Sequence, residues 1–252
     1  MYATLGHYES DLVNLMGDFS KGSSSEFAKA QLRNSDKYVV EGPSLGPVNR
    51  ATLVRDPKHL GFTLARYKFI SKMFKDMDAV YEVGCNEGTG TLVLAPEVKE
   101  ITALDFDLDH ISFCKSEYAN YHKNIKWIAA DALDGIPPTK SGLEKYDGGF
   151  LLDVLEHIEK STEKKLLRAL SKSLKKNGTL IVGIPSIESQ PYASPVSKVQ
   201  HINCKSMYEL RDLMKEFFHN VYMFGMNDEM LHVGYHHMCQ YIFAMGVNPK
   251  AN

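Results

Sequence analysis

Imidazole changes charge near neutral pH, so a histidine beside a polar pocket can take a proton from a hydroxyl. Two are placed for it. His157 follows an apolar run that ends at Asp153, and His201 closes the polar stretch from Ser186 to Gln200. A stretch that long without an apolar pattern is expected to form the wall of a site, which makes His201 the first choice of base and His157 the second. The competing uses are anchoring of the loop through a backbone hydrogen bond for His201, and capping of the next helix for His157. A second set of residues suits binding. Ala79-Val80-Tyr81-Glu82-Val83 passes at once into Gly84-Cys85-Asn86-Glu87-Gly88-Thr89-Gly90. Glycines there permit positive φ and close approach of a ligand to the main chain, and the Thr89–Leu94 segment beyond can start a helix whose N-terminus favours polar or anionic groups. The run is a nucleotide-type turn, in which Cys85 serves as a small residue, with no basic neighbour to make it a nucleophile.

The elements that position these groups follow from short apolar runs closed by acids. Ile101–Leu104 ends at Asp105, about 23 residues beyond Glu82, where an acid after a second strand accepts from both ribose hydroxyls. Ile125–Ala130 ends at Asp131, and Gly149–Leu152 ends at Asp153. The four strands feed one crevice. Phe106, next to the ribose acid, is available to stack on an aromatic base, although an aromatic at a strand end is more often core.

With Glu82-Val83-Gly84-Cys85-Asn86-Glu87-Gly88, Leu104-Asp105, Asp131-Ala132, Leu152-Asp153-Val154-Leu155-Glu156-His157-Ile158 and Lys176-Asn177-Gly178-Thr179-Leu180 in this order, the chain resembles the class I S-adenosylmethionine-dependent methyltransferases over roughly residues 58–245. The departure is Asn86, where that family usually has its middle glycine; asparagine tolerates positive φ better than most residues. The resemblance implies an α/β fold, a Rossmann-like, doubly wound, mostly parallel seven-stranded sheet with an antiparallel last strand. It implies S-adenosyl-L-methionine as cofactor, held by Glu82, Gly84, Cys85, Asn86, Gly88, Asp105, Phe106 and Asp153. Asp131 would accept from the adenine amino group while the Ala132 amide donates to a ring nitrogen. Arg66 or His59 would meet the methionine carboxylate. Residues 1–57 would be an N-terminal helical extension acting as a lid, with Tyr38, Asn49 and Arg50 toward the acceptor, or else a packing arm or a homodimer contact. Residues 58–252 would be the cofactor-binding domain.

The resemblance also carries two views of the substrate. The polar wall from Ser186 to His201, with Asp228, Glu229 and His232, suits O-methylation of a small polar metabolite or sugar derivative, and the His59–Arg66 helix and the Ser186–Ser189 loop are similar to methyltransferases that modify bacterial capsule or surface saccharides. Asp153, Glu156, His157 and His201 also match the ligand order of metal-dependent RNA 2′-O-methyltransferases, in which a divalent ion lowers the pKa of a hydroxyl. Glu-His at this place is frequent without metal, and no metal is assigned. A non-catalytic cofactor-binding partner is the third view.

Composition narrows the choice. With 29 basic and 31 acidic residues and a formal charge of -2, the chain has no global pull toward nucleic acid or membrane. The four cysteines are far apart with no metal spacing, and no membrane-length apolar run is present. A soluble, cytoplasmic protein with a small-molecule or saccharide acceptor is expected. Among the helices, Pro57 opens one with Leu60, Leu64, Tyr67, Ile70 and Phe74 on a face, Asp109–Ala119 forms another, and Ser161 caps a third with Leu166, Leu167, Leu170 and Leu174 inward and lysines outward. Further strands are expected over 179–184, 220–224 and 237–246. In the first 57 residues, Tyr8–Phe19 and Glu26–Leu32 have helical patterns, joined by a Gly-Ser linker.

Overall fold

The structure, a computed structural model, describes residues 43–251, so the helices expected before residue 43 and Tyr38 lie outside the described residues. From Leu45 onward the chain forms one compact unit. Two helices, α1 (Pro47–Arg55) and α2 (Pro57–Met73), precede β1 (Ala79–Val83). Each opens with proline in its first turn, where the missing N–H is no loss, and Asp56 caps α2 by accepting from the His59 amide. Then come α3 (Thr91–Leu94), β2 (Glu100–Asp105), α4 (Leu108–Tyr118), β3 (Ile125–Ala129), β4 (Tyr146–Leu152), α5 (Glu163–Lys172), β5 (Leu174–Pro185), α6 (Pro195–Gln200), α7 (Met207–Lys215), β6 (Phe218–Asn227), β7 (Met230–His232) and β8 (Tyr241–Pro249).

The strands form one sheet in the order β3-β2-β1-β4-β5-β8-β6-β7. The first five are parallel, β8 runs antiparallel between β5 and β6, and β7 pairs antiparallel with β6. This is the expected doubly wound sheet with an antiparallel last strand. The count differs: the described residues hold eight strands because Met230–His232 folds back on the end of β6, too short a run to show an alternating pattern. β1 is buried at every residue, since successive side chains enter different cores. Tyr81 packs with Leu166, Leu167 and Leu170 of α5 on one face, and Val80 with Ile70 of α2, Phe74 just after it and Ile111 of α4 on the other.

Three expectations change in detail. Thr162, not Ser161, is the N-cap of α5, without a side-chain hydrogen bond; the helix still buries Leu166, Leu167 and Leu170 while Lys164, Lys165, Arg168 and Lys172 face solvent. The stretch Pro185–Asn203 is folded into a 3-10 turn, Ile187–Tyr192, and α6, capped by Ser186 and Ser194. Helix α1, within the stretch expected as an extension, packs on α2 inside the compact unit. No helix among the described residues is long and apolar enough to cross a membrane.

Candidate active site

The turns at the carboxyl ends of β1, β2, β3 and β4 enclose a cavity of about 690 Å³. Its lining takes Gly84 and Asn86 from the first turn, Asp105 and Phe106 from the second, Asp131 and Ala132 from the third, and Asp153, Val154 and His157 from the fourth. The crevice inferred from sequence is therefore present, with those residues in it.

The first turn is built on alternating positive φ at Gly84 (77°), Asn86 (50°) and Gly88 (73°). A Cβ on Gly84 would lie 2.3 Å from Val154, and one on Gly88 2.7 Å from Trp127, so both positions need glycine for space as well as for conformation. Asn86 takes the left-handed conformation that a middle glycine would, supported by its own side chain accepting from the Glu87 amide at 2.6 Å. The turn is tied to β2: the amides of Gly84 and Cys85 donate to the Leu104 carbonyl, and Asn86 donates its amide to Asp105 at 2.8 Å. Asp105 also accepts from the Asp107 amide at 2.9 Å. Each carboxylate oxygen retains acceptor capacity toward the cavity. Phe106 is 86% exposed at the lip, an apolar ring with an open face.

Glu82, Cys85, Gly88 and Arg66 lie outside the cavity lining. Glu82 is sealed beneath it, accepting from Tyr67 Oη at 3.0 Å and Thr91 Oγ1 at 2.6 Å; burial, partly offset by these hydrogen bonds, pushes its carboxyl up to about 7. Cys85 is buried, and a hydrogen bond with Cys114, then burial, push its thiol well up, consistent with packing rather than nucleophilic use. Arg66 donates Nη1 to both oxygens of Asp153, at 2.7 and 3.0 Å, and its guanidinium lies 3.8 Å over the Tyr241 ring. Burial, the largest influence, would lower its pKa, but Asp153, Tyr241 and Glu156 together outweigh it and the net shift is upward. Asp153 itself has φ 55°, which turns its side chain back to Arg66 at the end of β4. His59 packs on Phe62.

The histidines come together as a pair, their ring centroids 5.2 Å apart, with His157 on the cavity wall and His201 behind it. Both tautomers are set by neighbours. His157 Nδ1 faces the Gln200 carbonyl at 3.1 Å, which only accepts. Gln190 donates its Nε2 to Ser186 O and Ser189 Oγ, so its Oε1 is the atom 3.0 Å from His201 Nδ1. Each Nδ1 therefore carries a proton and each Nε2 lone pair is uncommitted. Burial, then His157, lower the pKa of His201, which keeps it neutral at pH 7. Against them lies Glu156, fully buried, whose carboxylate oxygens have no hydrogen-bond partner among the described residues beyond its own amide. Burial, then Asp153, raise its pKa well above the usual carboxylate range. One ligand atom from each of Glu156, His157 and His201 lies within 4.8 Å of the others, a set able to hold a divalent ion.

Asn49, expected near an acceptor, instead donates to Glu87; Arg50 donates to the Leu45 carbonyl. The segment with Met226, Glu229 and Leu231 lines a separate groove against Gly61, Leu64 and Lys68. Glu156 was visible in sequence as one member of the ligand order it shares with Asp153, His157 and His201; its partnerless burial was not, since that depends on tertiary packing.

An open aromatic ring, a carboxylate at the end of β2, a carboxylate and backbone turn at the end of β3 and a glycine-tight turn after β1 line one cavity on a Rossmann-like sheet, a set of groups that fits an adenosyl group in size and chemistry. Residues 80–178 match the family model for a methyltransferase domain. Similar solved structures include the N-methyltransferase NodS of Bradyrhizobium japonicum WM9 in complex with S-adenosyl-L-homocysteine, at 18% identity and TM-score 0.57 over 79% of this chain and 91% of that one. The methyltransferase domain of bacterial CtHen1 matches at 14% identity and TM-score 0.57 over 74% and 98%. A SAM-dependent methyltransferase from Archaeoglobus fulgidus matches at 18% and 0.56 over 75% and 94%. No curated protein matches the chain in sequence. Residues 80–178 are therefore a methyltransferase domain, and the fold is that of the S-adenosylmethionine-dependent methyltransferases.

Proposed function

We propose that the protein transfers the methyl group to a hydroxyl of a small polar acceptor, a metabolite or sugar derivative of the kind found in surface saccharides. The observation that carries this is the histidine pair: two imidazoles whose Nδ1 protons are committed and whose Nε2 lone pairs are free, beside the cavity wall. A hydroxyl must lose its proton to become a good nucleophile, whereas a neutral amine need not. When bound, the cofactor supplies an activated methyl on a sulfonium. Asp105 accepts from the ribose, Asp131 and Ala132 meet the adenine edge, Phe106 covers the ring, and Asp153, fixed by Arg66, accepts from the cofactor's ammonium. Gly84, Asn86 and Gly88 shape the backbone, with Glu82 and Cys85 supporting the turn from below. His201 takes the acceptor proton, and His157 shares the pocket with the acceptor.

A second reading, metal-assisted transfer to a ribose hydroxyl of RNA, is favoured by one observation, the partnerless carboxylate of Glu156 facing both histidines. An ion there would lower the hydroxyl pKa directly.

The test is methyl incorporation into a panel of hydroxylated and amine acceptors, sugar nucleotides and short RNAs among them. Wild type is expected to modify a hydroxylated small molecule without loss on chelation. His201→Ala is expected to lose about 10²- to 10⁴-fold in kcat with cofactor affinity unchanged. If His157→Ala alone has that effect, the base is His157. Modification restricted to amines would overturn the proposal, and activity on RNA that is abolished by chelator would establish the second reading.

A further inference from the structure

Beyond the carboxyl end of β5 a second polar cluster forms between segments that are distant in sequence. Ser186, just after β5, donates its amide to the Gln240 carbonyl at 3.0 Å and its hydroxyl to the Cys239 carbonyl at 2.5 Å. These bonds hold the turn Ile187–Tyr192 against the turn His236–Met238, which leads into β8. Glu188 is thereby placed beside His236 and His237, and one ligand atom of each lies within 4.8 Å of the other two. Glu188 Oε1 is 3.3 Å from His237 Nδ1. The two imidazole rings are 3.9 Å apart, and Tyr208 packs on His236 at 4.4 Å.

An ion pair between Glu188 and His237 leaves two atoms unexplained. Glu188 Oε2 and His236 Nε2 are both buried and both without a hydrogen-bond partner among the described residues. Buried polar atoms in native structures are rarely orphaned, and one common reason is an ion. We propose that Glu188, His236 and His237 bind a divalent transition-metal cation of the zinc class. A cation on all three residues satisfies the carboxylate and both imidazoles together. Two imidazole nitrogens and one carboxylate oxygen form a borderline donor set, which favours Zn²⁺ or Co²⁺ over Mg²⁺ or Ca²⁺. Three protein ligands leave a coordination position for water. The ion would clamp the turn after β5 to the connection before β8, and it shares no residue with the Glu156, His157 and His201 group beside the cavity.

The test uses the full chain, stripped of metal and titrated with Co²⁺, whose visible absorption reports low-coordinate nitrogen and oxygen ligation. One Co²⁺ equivalent with these bands is expected, displaced by Zn²⁺ and not by Mg²⁺. The bands should vanish in His237→Ala and in the isosteric Glu188→Gln, and persist in the His157→Ala, His201→Ala double variant. Bands that persist in Glu188→Gln and His237→Ala, or that vanish only in the double variant, would overturn the assignment. In case the substituted turns fail to fold, Zn²⁺ is also added to the double variant, which keeps Glu188, His236 and His237. A rise in its urea midpoint with Zn²⁺ and none with Mg²⁺ is expected, and no rise would count against the site.

Discussion

A carboxyl sealed under a sheet must be protonated or closely paired, and Glu82 shows how one residue can set a pH response. Burial raises its pKa from 4.5 to about 7 even though Thr91 and Tyr67 both donate to it. Below pH 4.5 the folded and unfolded states both hold the proton. Between 4.5 and about 7 the unfolded chain releases it first, so stability falls as pH rises, by about 3 kcal/mol in all. Glu82→Gln cannot titrate, and the hydroxyls of Tyr67 and Thr91 can turn to suit an amide. The variant's stability relative to wild type is therefore expected to grow in its favour from pH 5 to pH 7, measured as urea midpoints at both. An equal difference at the two pH values would show that Glu82 does not ionise in that window.

At the scale of elements, the helix α1 is attached by an acid from the cofactor turn. Glu87 accepts from the Val48 amide at 2.8 Å, the Asn49 amide at 3.0 Å and Asn49 Nδ2 at 2.9 Å, which places a carboxylate on the positive end of the helix. Because α1 buries none of its residues, these bonds hold a large share of its attachment. Glu87→Ala is expected to loosen α1 by about 1–3 kcal/mol, seen as faster amide hydrogen exchange over residues 47–55 with β1 to β5 unchanged. Unchanged exchange there would mean that packing on α2 suffices. This link was not legible in the sequence, where Glu87 stood only as a turn residue. The strands were legible, since Ala79–Val83, Ile101–Asp105 and Ile125–Ala130 are short, largely apolar runs with acids at or near their ends; the first two are buried on both faces, while β3 is buried on one. The start of Pro57–Met73 was also set by a local signal, the proline of its first turn. What could not be read were pairings made by the sheet: Arg66 with Asp153, the tautomers of His157 and His201, and the meeting of Glu188 with His236 and His237, all created by strand order rather than by neighbours in the chain.

For the molecule as a whole, the cavity walls belong to turns of one hydrogen-bonded sheet, so a ligand that joins them stabilises the unit rather than one loop. S-adenosylhomocysteine at about 100 times its Kd is expected to add about 2.7 kcal/mol to unfolding. The gain should appear as slower exchange in β8 and β6 as well as in the turns, because those strands continue the same ladder through β5. Asp105→Ala separates binding from folding. Losing the carboxylate removes the bonds from Asn86 and Asp107 and lowers the stability of the ligand-free chain, so the informative quantity is the increment that ligand adds to each variant's own baseline. With binding weakened by about 1–3 kcal/mol, the usual loss for a charge-assisted hydrogen bond, that increment should fall to between about 1.8 and about 0.3 kcal/mol at the same ligand concentration. Titration calorimetry gives the independent check: equal affinity in wild type and Asp105→Ala would remove Asp105 from cofactor binding and leave it the role of tying the first turn to β2.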